Sequence, residues 1–289
     1  MSIKIGPYTV DILDTGSFGL DGGAMFGVVP KPLWEKAYTN ADERNRIPMV
    51  ARCLLIRGGG RCIVVDTGNA RHMSQKLHDI YALDFSLSSL DASLRSFDVE
   101  PTDVTHVLLT HLHFDHAGGT VIPSGDGFAP RFANARHIVQ AEHLAYSERP
   151  SEKDRASFLP ETWRTIQDHG LFDCSEGDGE ILPGIFVRRL YGHTTAMQGI
   201  RITDGISTVF FGADLMPTGA HIPVPYVMGY DNEPLRTISE KKLMLPQAVD
   251  EKWIVVFEHD ALRQASSIVH TDKGFGMGDV VEVTQQLPL

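Results

Sequence analysis

Residues 110–119 read Thr-His-Leu-His-Phe-Asp-His-Ala-Gly-Gly. Three imidazoles (His111, His113 and His116) and one carboxylate (Asp115) crowd into positions 111–116. Neutral imidazole and carboxylate are the usual ligands of divalent transition metals. The preceding run, Val104-Thr105-His106-Val107-Leu108-Leu109, is β-branched and apolar and predicts a buried strand. The ligand run therefore sits where a strand ends. Alternation in an extended chain points His111 and His113 to one side. Asp115 and His116 then fall at the turn into an expected helix and face a second point. That geometry suits two adjacent metal ions better than one.

The same pattern, an apolar strand with a ligand type at its end, recurs down the chain. Ile185 to Leu190 leads to Gly192-His193-Thr194-Thr195, Thr208 to Phe211 leads to Asp214, and Trp253 to Phe257 leads to His259. Arg61 to Val65 ends in Asp66-Thr67-Gly68, where a carboxylate is placed to orient ligands by hydrogen bonding. His221, seven residues after Asp214, divides evenly between a ligand-orienting or pocket role and plain surface. His106 reads as structural. His72, His78, His137, His143, His169 and His270 have no ligand context.

Elements must position these groups. Residues 3–13 predict a strand ending in a turn at Asp14-Thr15-Gly16. Residues 17–50 are rich in Gly, Pro and aromatics and predict a long loop, an arm over the active site or at a dimer interface. Val50 to Ile56 and Arg61 to Val65 predict a hairpin closed by Gly58-Gly59-Gly60. Leu87, Leu90, Leu94 and Phe97 give residues 86–97 a helical period. Residues 120–135 read as loop, 136–140 as a strand, 141–182 as polar and helical. A hairpin over 199–211 and a helix over 238–248 follow. With no linker in sight, residues 1–289 form a single α/β domain with two sheets sandwiched by helices.

Composition sets outer bounds. The 289 residues are 42% hydrophobic and 22% charged, ordinary for a soluble globular chain able to bury a sizeable core. The net charge is −11, and no Lys/Arg cluster appears, so nucleic acid is not an expected partner. The N-terminus has no secretory pattern and no run spans a membrane, which makes the cytoplasm the default location. Three cysteines do not make a disulfide framework; Cys53 and Cys62 read as reduced core residues and Cys174 as no ligand.

His-x-His-x-Asp-His, then Gly-His, a strand-end Asp and a late His resembles the metallo-β-lactamase superfamily, with Asp66 matching its early structural aspartate. The resemblance implies an αββα sandwich of two mixed sheets. A closer resemblance is to the YtnP-like quorum-quenching lactonases, carried by Asp21 to Trp34, Thr110 to Ala117, Ala213 to Thr218 and His259-Asp260-Ala261. It implies that the chain opens the ring of N-acyl-homoserine lactones; the alternative within the same fold is a phosphotriesterase or arylesterase of the methyl-parathion-hydrolase type. It also implies the ligand sets: His111, His113 and His193 on one metal, Asp115, His116 and His259 on the other, and Asp214 bridging. Two zinc ions suit these donors, and manganese, cobalt or iron suit them as well. A hydroxide held between the ions is the implied nucleophile, with Asp115 passing its proton to the leaving group. A zinc-binding cysteine of the antibiotic-cleaving β-lactamases is replaced here by Asp214.

Two departures from the family stand out. Many homoserine lactonases carry a tyrosine three residues after the bridging aspartate; this chain has Pro217, with Tyr226 or Tyr230 as the candidate replacement. Relatives reading Gly-His-Thr-Pro-Gly-His differ from Gly192-His193-Thr194-Thr195-Ala196-Met197 here. Phe26, Met25, His221 and Tyr226 are the candidate substrate-binding residues, with Phe18 and Trp34 as further candidates for an apolar wall. Small-molecule lactones or esters are the expected substrates, and a homodimer is compatible with the 17–50 arm.

Overall fold

Tyr8–Asp21 forms one strand, not the strand and turn expected over residues 3–16. The reason lies at Thr15 and Gly16. The Thr15 hydroxyl donates to the Ala51 carbonyl (2.8 Å), tying the segment to its neighbour. Gly16, at φ +133°, passes so close to the Phe85 ring that a Cβ would collide with it. Glycine here keeps the strand going where the sequence suggested a bend. This computed structural model describes residues 2–39 and 41–283.

By internal contacts the described chain divides into two compact units, one of residues 2–17, 51–177 and 283, the other of 18–50 and 178–282. Two large mixed sheets and seven α-helices occur among the described residues, so the α/β class holds.

The first unit is built on a six-stranded sheet in the order Ile3–Ile5, Tyr8–Asp21, Arg46–Gly58, Arg61–Val65, His106–Leu108, Arg136–Ile138. Residues 18–21 and 46–50 of the two long strands count with the second unit. The expected triple-glycine hairpin is present, with Leu54 opposite Val65 and Gly58 opposite Arg61. The last three strands run parallel, His106 facing Ile63 on one side and Arg136 on the other. Parallel neighbours need a crossover. Helices Gln75–Tyr81 and Leu90–Arg95 fill the first. The expected helix over 86–97 is shorter because Ser89 caps it, accepting from the Ala92 amide (3.3 Å), and Leu87 is left 94% exposed outside it. Residues 120–135, expected as loop, hold a hairpin, Val121–Ser124 with Gly127–Pro130. Leu55, Val64, Val107, Leu109, Phe132 and Trp163 are part of one buried core.

His137 sits in this core on Arg136–Ile138, fully buried. Burial pushes its pKa down to about 4, against the usual 6.5, the Ala135 backbone opposing only in part. The folded protein therefore keeps His137 neutral while the unfolded chain takes up a proton below about pH 6.5. Stability from this site is complete above that pH and falls as pH drops towards 4, by up to ~3 kcal/mol. We expect the stability gap between the wild type and His137→Leu to shrink or reverse across that window in chemical denaturation. A constant gap from pH 7.5 to 4.5 would contradict a buried neutral imidazole.

The second unit is built on a seven-stranded sheet in the order Gly274–Val281, Ala265–Thr271, Ile254–Val256, Thr208–Phe211, Met197–Thr203, Ile185–Leu190, Gly179–Leu182. Val209 pairs with Ile254 in parallel, and helix Pro234–Asp250 makes the crossover. Residues 265–281 were not read as strands, because their Ser and Gly content hides the alternation. The long loop expected over 17–50 is corrected: it holds helices Gly22–Phe26 and Lys31–Ala37. Asp21 caps the first, accepting from the Ala24 amide (2.7 Å). Pro32 lies in the first turn of the second, so proline begins a helix here rather than stiffening a loop. Cys53, Cys62 and Cys174 are free thiols.

Candidate metal centre

In the first unit Asp66, at the end of Arg61–Val65, organises the ligand run. Its Oδ1 accepts from the Thr110 amide (2.7 Å) and its Oδ2 from the Thr110 hydroxyl (2.6 Å). Oδ2 also accepts from His116 Nδ1 (3.1 Å). The Thr110 proton being spent on Asp66, its oxygen accepts from His111 Nδ1 (3.1 Å). Both histidines are thereby held as tautomers whose Nε2 carries the lone pair. Asp66 has φ 55°, a left-handed backbone uncommon outside glycine and asparagine, a strained conformation at a functional turn. Next along, Gly118 packs where any Cβ would strike the Ala70 backbone, so the glycine after the ligand run is a packing requirement.

The run itself is buried: His111 and His116 fully, His113 and Asp115 nearly so. His111 Nε2 and His113 Nδ1 lie 3.0 Å apart, on one side as alternation predicts. His116 Nε2 is 3.7 Å from Asp115 Oδ1. The Leu112 amide donates to His143 Nε2 (2.9 Å), so a histidine without ligand context braces the ligand strand from behind. Asp154 stands 3.9 Å from His113 Nε2 and accepts from Tyr146 and Ser151 hydroxyls. Tyr81 stacks on Phe114 at 4.8 Å, and burial together with the Asp115 charge raises its phenol pKa.

In the second unit Asp214 lies between two imidazoles. Its Oδ2 is 3.0 Å from His193 Nε2 and its Oδ1 is 3.2 Å from His259 Nε2. The outer nitrogens are held too: His193 Nδ1 donates to Asp231 Oδ1 (3.1 Å) and His259 Nδ1 to the Val50 carbonyl (3.0 Å). Again Nε2 is the nitrogen left for a metal. Burial opposes a charge on His193, but the carboxylates of Asp214 and Asp231 outweigh it and raise the pKa to about 9. The surroundings call for a cation, which a divalent ion satisfies. Ala196 and Ala213, beside the two ligand turns, also have positive φ (53° and 45°). Pro217 offers its carbonyl to the His259 amide (2.9 Å).

Phe26, Met25, His221 and Tyr226 do come together in this unit. Phe26 lies between Trp34 (5.5 Å, rings at 3°) and His221 (4.6 Å, rings at 11°), with Tyr226 edge-on at 6.2 Å. Phe26, Met25 and His221 are 0–1% exposed, so they are packed as core; Tyr226 alone keeps exposed surface. His221 uses both nitrogens, accepting from the Thr218 hydroxyl (2.7 Å) and donating to the Met25 carbonyl (2.8 Å). Burial pushes its pKa down to about 4. Lys241 spans the loop below, donating to the carbonyls of His221, Pro223 and Tyr226.

Asp231 was not foreseen. It is 1% exposed, accepts from the Thr237 hydroxyl (2.9 Å) as well as from His193, and stands 38 residues from that histidine in sequence. We expect Asp231→Asn to weaken metal binding about 10–100-fold, because an amide N–H facing His193 Nδ1–H sets donor against donor. Chelator competition measures this; unchanged affinity would assign Asp231 to packing alone.

Such His and Asp groups are able to hold metal ions. Residues 46–259 match the family model of the metallo-beta-lactamase superfamily, and the chain belongs to that superfamily. It is a metallo-hydrolase of that fold. The N-acyl homoserine lactonase of a Bacillus species is 29% identical over 170 residues, 58% of this chain and 60% of that one, so the match spans less than two thirds of the relative. The N-acyl homoserine lactonase AiiB of Rhizobium rhizogenes is 27% identical over 90% of this chain and 96% of its own. A probable metal-dependent hydrolase from Staphylococcus aureus superposes with a TM-score of 0.87 at 30% identity, covering 99% of this chain and 100% of the other. AidC, a dizinc quorum-quenching lactonase, shares the fold at 18% identity (TM-score 0.79, 96% of each chain).

Proposed function

We propose that the chain hydrolyses N-acyl-homoserine lactones at two divalent cations, zinc in the first instance. His111, His113 and His193 hold one, Asp115, His116 and His259 the other, and Asp214 bridges them. One observation carries this: four of the five histidines, His111, His116, His193 and His259, have their outer nitrogen committed to an oxygen, leaving Nε2 for a metal. Each proposed ligand set draws residues from both compact units, and the family model runs through both, which supports treating residues 1–289 as one functional domain. The lactone assignment draws on the names of the relatives.

A bound pair of divalent ions supplies Lewis acidity and brings the pKa of water to about 7. The chain does the rest. Asp66, Asp231 and the Val50 carbonyl hold the imidazoles in their tautomers, so no reorganisation is needed at reaction. Asp115, almost buried, takes the proton of the attacking water at a carboxylate oxygen and returns it to the leaving alkoxide. The proposal includes cytoplasmic residence, in keeping with three free thiols, and a homodimer, for which exposed Val28 (91%) and Leu33 (51%) supply apolar surface. No helix among the described residues is long and apolar enough to cross a membrane.

The test is a paired assay on one metal-quantified preparation: N-hexanoyl- and N-decanoyl-homoserine lactone against paraoxon. We expect lactone turnover to exceed phosphotriester turnover by orders of magnitude, with two metal equivalents at full activity. Paraoxon as the better substrate would transfer the site to phosphotriester hydrolysis, the reading that the proline at position 217 leaves open. Full activity with one equivalent would remove the dinuclear assignment.

A further inference from the structure

The first unit contains a cavity of about 320 Å³ that none of the seven proposed metal ligands lines. Its walls come from residues 67–72, helix Leu90–Arg95 and residues 118–123, with Arg131 on one side. Asn69 lines it at 3% exposure, and neither its Oδ1 nor its Nδ2 has a hydrogen-bond partner in the protein. Buried carboxamides are nearly always paired, so an unpaired one in the wall of a cavity marks a place for a ligand with a matching donor and acceptor. Arg71, two residues on, lays its guanidinium over the Phe85 ring at 4.8 Å and forms no ion pair with a described residue. Arg131 is different: it pairs with Asp91 and donates from Nε to the Gly119 carbonyl (2.8 Å), so the nearby acid is neutralised and the wall is braced. Phe85, Leu90, Val121 and Ile122 supply apolar surface.

The cavity thus presents a free cation at an exposed rim, an amide-complementary pair at a buried point, and an aliphatic wall. We infer that it binds a small N-acylated amino acid. The carboxylate meets Arg71. The ligand's amide N–H and C=O pair with Asn69 Oδ1 and Nδ2, and its acyl carbons lie on Leu90, Val121 and Ile122. Inorganic phosphate would satisfy Arg71 and accept from Asn69 Nδ2 but leave the aliphatic wall uncovered. The inference stands on the cavity alone. Ring-opened N-acyl-homoserine belongs to the same class, so this is also a place for the product of the proposed reaction.

Isothermal titration of N-hexanoylglycine into the metal-loaded protein tests it, beside its methyl ester and the variants Arg71→Ala and Asn69→Leu. We expect saturable one-site binding of the acid, weakened about tenfold or more by either substitution and by esterification. Asn69→Leu should melt no lower than wild type, since it replaces an unpaired buried amide with an apolar group of similar volume. If it fails to fold, Arg71→Ala, at an exposed position, decides alone. Absence of saturable binding overturns the inference. So does binding that survives both substitutions and disappears on chelation, which assigns the acid to the metals. Neither result bears on lactone turnover, which is measured separately.

Discussion

Asp214→Ala is expected to lower lactone hydrolysis about a thousandfold or more, several kcal/mol of transition-state stabilisation. Both carboxylate oxygens are engaged, one within 3.0 Å of His193 Nε2 and the other within 3.2 Å of His259 Nε2. Removing them takes a proposed bridge from two ions at once and leaves the two imidazoles without the charge that positions them. Metal content should fall with activity. The comparison that isolates the effect is Asp231→Asn, which keeps every proposed ligand and should lose only about 10–100-fold in affinity. Asp214→Ala retaining activity within tenfold of wild type at matched metal content would sink the bridging role.

Phe26→Ala is expected to cost about 3–5 kcal/mol of stability. The ring is fully buried between Trp34 and His221 with Tyr226 across its edge, so its removal opens a cavity that rigid neighbours cannot close. For a unit of this size the melting temperature should drop by about 10 °C. Phe26 is one of the candidate substrate-binding residues named from the sequence, and a place in an acyl-chain wall would make its loss raise KM selectively for long-chain lactones. A side chain with no exposed surface has no face to offer an acyl chain, so any loss of activity should run parallel across chain lengths. Thermal melts and a chain-length series on the same variant separate the two. An unchanged melting temperature with a selective long-chain KM increase would return Phe26 to the substrate wall.

Local spacing was enough to read the ligand run, because alternation along a strand is a covalent consequence and brings His111 beside His113 whatever surrounds them. The ligand types after Leu190, Phe211 and Phe257 were legible for the same reason: apolar strands announce their own ends. Asp66 was foreseen as an orienting group from its place at such an end, and it does hold Thr110 and His116. Tertiary structure alone decided what those side chains meet. The pairing of His193 with Asp231 joins positions 38 residues apart, and the Leu112 amide meets His143 across 31; no periodicity encodes either. Burial was equally hidden. Aromatic residues at 26 and 34 suit a pocket wall and a core equally well in sequence, and only the stacking of Phe26 on Trp34 and His221 makes them core. Residues 17–50 looked like loop because of their glycines and prolines, yet Asp21 and Pro32 are the start signals of two helices, which act only where backbone amides need a partner.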